Sequence, residues 1–585
     1  RHALSDKGDA ARGVALKTEK AASLAEKVGK MILDSRAKLL TKARATDSRQ
    51  MWNLIRSSGT LSSKNRAHPM SNEWPVSCQD AEALNSHFAN IATDPQYSGK
   101  LIENVITQAA ASADRGGNEA KFVPYAPVTI AAMLGRLKST APGPEGIPYW
   151  IYKTFAGELS SVMCRLINYS LSTSTVPAVW RTAVITPIPK VKKVSSSSDF
   201  RPISVTSIFS RMTERLVVKD FLLPCIDPTM LYDQYAYKPT GSTTCALIDF
   251  SYRINCLLET NRHVRCVFID FTQAFDRIDH FILISKLLDL DIPQWLIRWI
   301  ASFLSDRTQA TKVDFVISRL LRINRSIIQG SGLGPILFLI YASDLKTLDV
   351  SNYLLKYADD STLINPETAK TSLEEEMSNI MSWASINKML INLIKTKEIV
   401  FTRPNPRMFN PPLPLDGIAR VSSFKLLGVS FNSVLNFQSH IDNIVATGNQ
   451  RIYLIQQLKK QGLNIKECDV IFQSLVLGKL TYALPMFYGY LTEHSRGQIN
   501  ALLRKAKRYQ LTDTEYNIDE IASKLQKDLF LKSTHAQHCL HHIYELNDSQ
   551  CAMTLRPRGH CFKLPFFKYE CNKRGFIARC LYMYS

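Results

Sequence analysis

Long hydrophobic runs are missing from this sequence. The longest, Gly334–Ala342 (GPILFLIYA), is far shorter than the ~20 apolar residues that a membrane-spanning helix needs, and it reads as a buried element. No membrane partner is expected. Acid is also scarce: 51 Asp and Glu stand against 72 Lys and Arg, a net charge of +21. A surplus of that size excludes little about fold but points to a polyanionic partner, most simply nucleic acid. No Cys-x-x-Cys pair occurs among the 12 cysteines, which are scattered. With no signal-peptide pattern at the N-terminus, that usage fits reduced thiols in the cytoplasm or nucleus. The chain begins at Arg1 rather than Met, as a fragment or a piece of a polyprotein would.

What is present is a globular composition, 45% hydrophobic, in a chain long enough for several domains. Residues 1–68 are rich in Ala, Lys, Arg and Leu and read as a basic helical arm. TAVITPI and RPISVTSI read as strands around a flexible basic loop, KVKKVSSSSDF. RCVFIDF reads as a buried strand, and DHFILISKLLDL and PQWLIRWIASFL read as helices. From about Asn436 the pattern turns mainly helical. The tail gathers His535, His538, Cys539, His541, His542, Cys551, His560, Cys561, Cys571 and Cys580, a density that could ligate zinc although no regular finger spacing is present.

One short stretch raises a chemical question. In LLKYADDSTLI, Asp359 and Asp360 lie side by side between two strand-like segments, at the expected tip of a hairpin. A surface turn alone would explain acids there. Asp270, however, ends the buried strand RCVFIDF, and a lone acid there needs a counter-charge. If the two strands pair, the carboxylates converge. Oxygen ligands in that number suit Mg²⁺ and leave room for phosphate oxygens.

With those residues the resemblance is to the reverse transcriptase of non-LTR (LINE-type) retrotransposons. YADD (Tyr357–Asp360) matches that family's Y-x-D-D box, and FIDFTQAFDRIDH (Phe268–His280) its first catalytic block. STAPGPEGIP, ITPIPK…SSDFRPISVTSIFSRMTERLV, DQYAYKPTGSTTCAL, IIQGSGLGPILFLIYASDL, WASINKMLINLIKTKEIVF and FKLLGVSFNSVLNFQSHI resemble its other blocks, in the same order. The match spans about 120–445. Glu145 stands where Asp is usual and Ile328 where Pro is common.

The resemblance implies an α+β right-hand polymerase. Residues 69–125 would lead into fingers and palm (126–440), followed by a helical thumb (441–530) and a basic tail (531–585). It implies two Mg²⁺ ions, with Mn²⁺ as a possible substitute, and as partners an RNA template, a DNA primer or target DNA, and dNTPs. Oligomeric state is left open. Asp270 and Asp359 would be the main metal ligands, with Asp360 assisting and the Phe271 carbonyl completing the site. Lys190 and Arg201 would meet the triphosphate, and Phe275 would gate the sugar. Gln329 and Gly330 would line the floor beneath base and template. Lys395 would be the general acid, with Lys397 as a rival, and Leu427 and Gly428 the primer grip. The alternative is a catalytically inactive, nucleic-acid-binding relic on the same scaffold, against which the intact aspartates argue. A viral RNA-dependent RNA polymerase fits less well, because Ala358 and Phe275 depart from that class.

Overall fold

The computed structural model describes residues 74, 80–97, 102–108, 122–404, 409–547 and 560–584. The expected N-terminal arm, residues 1–68, lies outside the described residues, as does Cys551. The fold mixes helices with sheets, an α+β arrangement. Its strands are β1 (Thr182–Pro189), β2 (Phe200–Val205), β3 (His263–Ile269), β4 (Arg307–Val313), β5 (Val316–Ile317), β6 (Leu321–Ile323), β7 (Tyr353–Tyr357), β8 (Asp360–Pro366), β9 (Lys397–Thr402), β10 (Ala419–Arg420), β11 (Ser423–Leu426) and β12 (Val429–Asn432).

Two compact units emerge. Val429–Phe431 and Asn436–Leu531 belong to one; Pro69–Gly428, Asn432–Leu435 and Lys532–Ser585 belong to the other. The smaller unit is helical. Gln438–Lys460 is its longest helix among the described residues, and Glu493–Arg508 ends in Lys505, Lys507 and Arg508. The apolar run between them is not one helix: it breaks where Ala483 takes a left-handed φ of 54°. No single helix among the described residues is long and apolar enough to cross a membrane. Only the bent pair Ile465–Thr481 with Leu484–Tyr490 approaches that length.

The larger unit holds two five-stranded sheets. In the first the order is β2-β1-β4-β5, with β6 also on β4; in the second it is β10-β9-β3-β8-β7. β3 lies at the centre of the second sheet, and every residue after His263 in it is buried. A continuous apolar run is what a strand covered on both faces requires. Helix Gly334–Tyr341 is buried on all sides, which accounts for its unbroken apolar sequence. Asp279 caps the helix His280–Leu288, and Ser372 and Glu375 form a capping box on Leu373–Ile386. These helices pack with β3 and β8 into one large core. Glu145, where Asp was usual in the resemblance, accepts hydrogen bonds from Ser207 Oγ (3.3 Å) and the Ile208 amide (3.2 Å), satisfying the start of the helix Ile208–Leu216.

Candidate active site

β3 and β8 are antiparallel neighbours, with Ile269 opposite Ser361. One residue further along that register brings Asp270 to Asp360. β7 and β8 form the expected hairpin, pairing Tyr357 with Asp360 and leaving Ala358 and Asp359 as its turn. The three acids therefore share one end of the second sheet.

That end opens into a cavity of about 840 Å³ lined by Asp270, Phe271, Phe275, Asp359, Asp360, Lys190, Arg201, Gln329, Gly330 and Lys395, among others. Ten of the residues singled out from the sequence thus surround one space. Leu427 and Gly428 do not line it. They form the turn between β11 and β12, with φ of 44° and 88°.

The walls differ in sign. Lys190 and Arg201 come from the β1–β2 side. The loop between these strands, expected to be flexible, is closed by hydrogen bonds: the Lys190 amide donates to Asp199 O (2.7 Å), Lys190 Nζ to Ser198 O (3.0 Å), and the Ser195 amide to the Asp199 carboxylate (2.8 Å). Loss of hydration, then repulsion from Lys395 and Arg201, lowers the pKa of Lys190. Lys395 Nζ lies 3.8 Å from Asp270 Oδ2, whereas Lys397 turns back onto the Ile394 carbonyl and lines no part of the cavity.

At the acidic end, loss of hydration and the charges of Asp359 and Asp270 push the Asp360 carboxyl up to about 6, although its side chain is partly open to solvent. Desolvation and Asp270 likewise raise Asp359. Carboxylates that repel one another in this way form a site for a positive charge.

The backbone around the acids is held by contacts that single residues in the sequence do not announce. The Asn392 amide donates to Asp270 O (2.7 Å), the Thr272 amide to Leu390 O (2.8 Å), and the Asp270 amide to Thr396 Oγ1 (3.3 Å). Ala358 sits at φ 56°, a left-handed conformation unfavourable for a residue with a Cβ. Its amide donates to Gln234 Oε1 (2.9 Å), which also accepts from the amides of Tyr235 (3.1 Å) and Ala236 (2.9 Å). Buried Gln234 thereby holds the turn that carries Asp359. Gly330 has φ 114°, and a Cβ there would lie 2.7 Å from Ser204 O, so only glycine fits.

Asp276 was not foreseen either. It lines the cavity, and both of its oxygens accept from Gln329 Nε2 at 3.0 Å, which fixes the amide of a floor residue. The only advance signal was an acid beside Phe275 in an apolar block. Desolvation pushes its carboxyl up to about 7, against the pull of Lys190 and the Gln329 hydrogen bonds. The folded protein therefore holds a proton that an unfolded Asp releases near pH 4, and stability falls as pH rises between those values. Asp276→Asn is expected to flatten that fall and to raise stability by roughly 1–3 kcal/mol at pH 8. Thermal unfolding in EDTA from pH 5 to 8 measures it; equal slopes for parent and variant would contradict the assignment.

Comparison with known proteins decides what carries this site. Residues 188–431 match the family described as reverse transcriptase (RNA-dependent DNA polymerase). The chain carries a reverse transcriptase domain. The chain is 27% identical over 392 residues to the RNA-directed DNA polymerase from mobile element jockey of Drosophila melanogaster, covering 63% of this chain and 42% of that relative. It is 25% identical over 442 residues to the probable RNA-directed DNA polymerase from transposon BS of the same fly, covering 72% and 48%. It is 24% identical over 333 residues to the Pol polyprotein from retrotransposable element R2 of Popillia japonica, covering 53% and 45%. These matches support the LINE-type resemblance. The chain spans about half the length of the curated relatives it matches. The matched segment of the reverse transcriptase domain contains every residue of the cavity.

Proposed function

We propose that the chain is an RNA-directed DNA polymerase of a non-LTR retrotransposon, extending a DNA primer on an RNA template. The observation that carries this reading is the convergence of Asp270, Asp359 and Asp360 at one sheet end, in one cavity with the cations Lys190, Arg201 and Lys395. The larger unit would supply fingers and palm, and the helices of 436–531 the thumb.

The donor set fits divalent metal. Oxygen ligands crowded enough to raise the pKa values of Asp359 and Asp360 favour a hard cation, and the matched family implies one. Two Mg²⁺ ions held by Asp270, Asp359, Asp360 and the Phe271 carbonyl would activate the primer 3′-hydroxyl and neutralise the departing pyrophosphate. Lys190 and Arg201 would bind the triphosphate and orient its α-phosphate for in-line attack. Lys395 would hand a proton to the leaving pyrophosphate, and its place on the cavity wall favours it over Lys397. Gln329, fixed by Asp276, and Gly330 would support the base pair. The turn at Leu427 and Gly428 would hold the primer end.

The ring of Phe275 stacks on Phe338 with centroids 4.5 Å apart, so it cannot yield freely to a larger sugar. Phe275→Val is expected to raise ribonucleotide incorporation relative to deoxynucleotide on the order of 10²-fold, the scale on which a pocket discriminates one hydroxyl. Single-nucleotide extension with dTTP against UTP reads the ratio. An unchanged ratio would remove Phe275 from the sugar gate.

The experiment for the whole reading is extension of oligo(dT) on poly(rA) with Mg²⁺ and dTTP. Processive, salt-sensitive extension is expected. Tight template–primer binding without extension would leave the inactive relic as the reading.

A further inference from the structure

Among the described residues, no three cysteines and histidines of the tail gather with one another. Two tail residues, His538 and Cys539, gather with Cys245 on the helix Thr243–Thr260 into a group close enough to share a metal ion. Their ligand atoms all lie within 4.8 Å of one another. Around tetrahedral zinc, with Zn–S near 2.3 Å and Zn–N near 2.0 Å, such atoms sit about 3.5–3.8 Å apart. Small side-chain rotations would close the difference.

The surroundings agree. Both sulfurs approach the Thr240 carbonyl, at 3.9 Å from Cys245 Sγ and 3.2 Å from Cys539 Sγ, and they interact with one another. His538 Nδ1 is 4.0 Å from Cys539 Sγ and accepts from the Leu540 amide at 3.1 Å, a modest bond to exchange for a metal. Asp249, on the same helix, is engaged by Arg253 at 3.0 Å, and His542 bonds the Cys539 carbonyl at 2.9 Å, so neither competes. Two sulfurs and an imidazole are a soft set that selects zinc over the hard ions suited to the carboxylate site.

We propose that Cys245, His538 and Cys539 form a zinc site that fastens the C-terminal segment to the helix Thr243–Thr260. Binding converts both thiols to thiolates and releases two protons to solvent; the charges of the thiolates cancel that of Zn²⁺, and water takes the fourth position. The site sits at one end of a longer docking line. The Cys539 amide donates to Thr240 Oγ1 (3.0 Å), and at the far end of the helix the Lys568 amide and Asn572 Nδ2 donate to Glu259 (2.9 and 2.6 Å). The same helix supports β7 through Arg253 on the Tyr353 ring, 4.3 Å from its centroid. Zinc there would steady the support of the strand that leads to Asp359.

The test is metal content of the purified full chain by mass spectrometry. About one zinc per chain is expected after desalting, falling below about 0.1 in Cys245→Ser and in Cys539→Ser and retained in Cys561→Ser, a cysteine outside the cluster. On the parent chain, chelation should accelerate tryptic cleavage near Lys532. Co²⁺ added to the chelated protein should give a thiolate charge-transfer band that Zn²⁺ abolishes. Absence of zinc together with absence of that band would overturn the proposal. So would zinc content unchanged in both serine variants, or a Cys245–Cys539 disulfide in a non-reducing digest.

Discussion

Asp270→Asn is expected to lower primer extension by about 10³-fold or more, a loss carried by kcat rather than by KM for dNTP. The amide keeps the shape of the carboxylate, and the backbone of residue 270 stays bracketed by Asn392 and Thr396, so the fold should be retained. What is lost is one negative charge at the only place where β3 and β8 bring three acids together. The nearby Lys395, 3.8 Å from Asp270, would then face an uncharged group, which does nothing to restore metal binding. Asp360→Asn should cost less, because Asp360 is the most open to solvent of the three. Single-turnover extension with preformed template–primer complex separates the two parameters. A fall in affinity alone, with kcat intact, would place the chemistry elsewhere.

Lys356→Met is expected to destabilise the protein by about 3–5 kcal/mol, the usual consequence of removing one member of a buried, hydrogen-bonded ion pair. Lys356 lies one residue before Tyr357, in the strand leading to the turn that carries Asp359. Its side chain is 2% exposed, and its Nζ donates to the carbonyls of Ala342 and Leu345 (both 2.9 Å) and to Asp233 (3.2 Å). Burial lowers its pKa to about 8, with Asp233 opposing that shift. Removing the ammonium leaves two carbonyls short of a donor and a buried carboxylate with one fewer cation. Lys346 also reaches Asp233, at 2.8 Å, but is 36% exposed, so Lys346→Met should cost no more than about 1 kcal/mol. Urea unfolding of the two variants side by side gives the comparison. Equal losses, or a loss below 1 kcal/mol at Lys356, would contradict the buried-anchor assignment.

Much of the site was legible because its signals are local. A β-branched run ending in Asp270 reads as a buried strand. Two acids between strand-like segments read as a hairpin tip, and the register of β3, β8 and β7 brings these together. That Gly334–Tyr341 is buried was likewise visible in its apolar run, although the run alone did not announce a helix. What the sequence hid are long-range polar contacts with no periodicity. Gln234 holds the turn at Ala358 from more than a hundred residues away, and Asp276 fixes Gln329 across the cavity floor. The left-handed Ala358 was hidden too, since alanine gives no sign of a positive φ. The metal-ligand density of the tail was visible, but Cys245, its partner on the helix, lies in a different block. Only the fold connects them.

The most direct test of the central claim, that Asp270, Asp359 and Asp360 form a divalent-metal site, is Mn²⁺ binding followed by electron paramagnetic resonance. The chain would be titrated with template–primer and a non-hydrolysable dNTP present, beside Asp359→Asn. About two Mn²⁺ per chain are expected at pH 7.5. Binding should weaken as pH falls through about 6, where Asp360 takes up its proton, and Asp359→Asn should lose at least one ion. Equal stoichiometry and affinity in the two proteins, with no dependence on pH, would contradict the account.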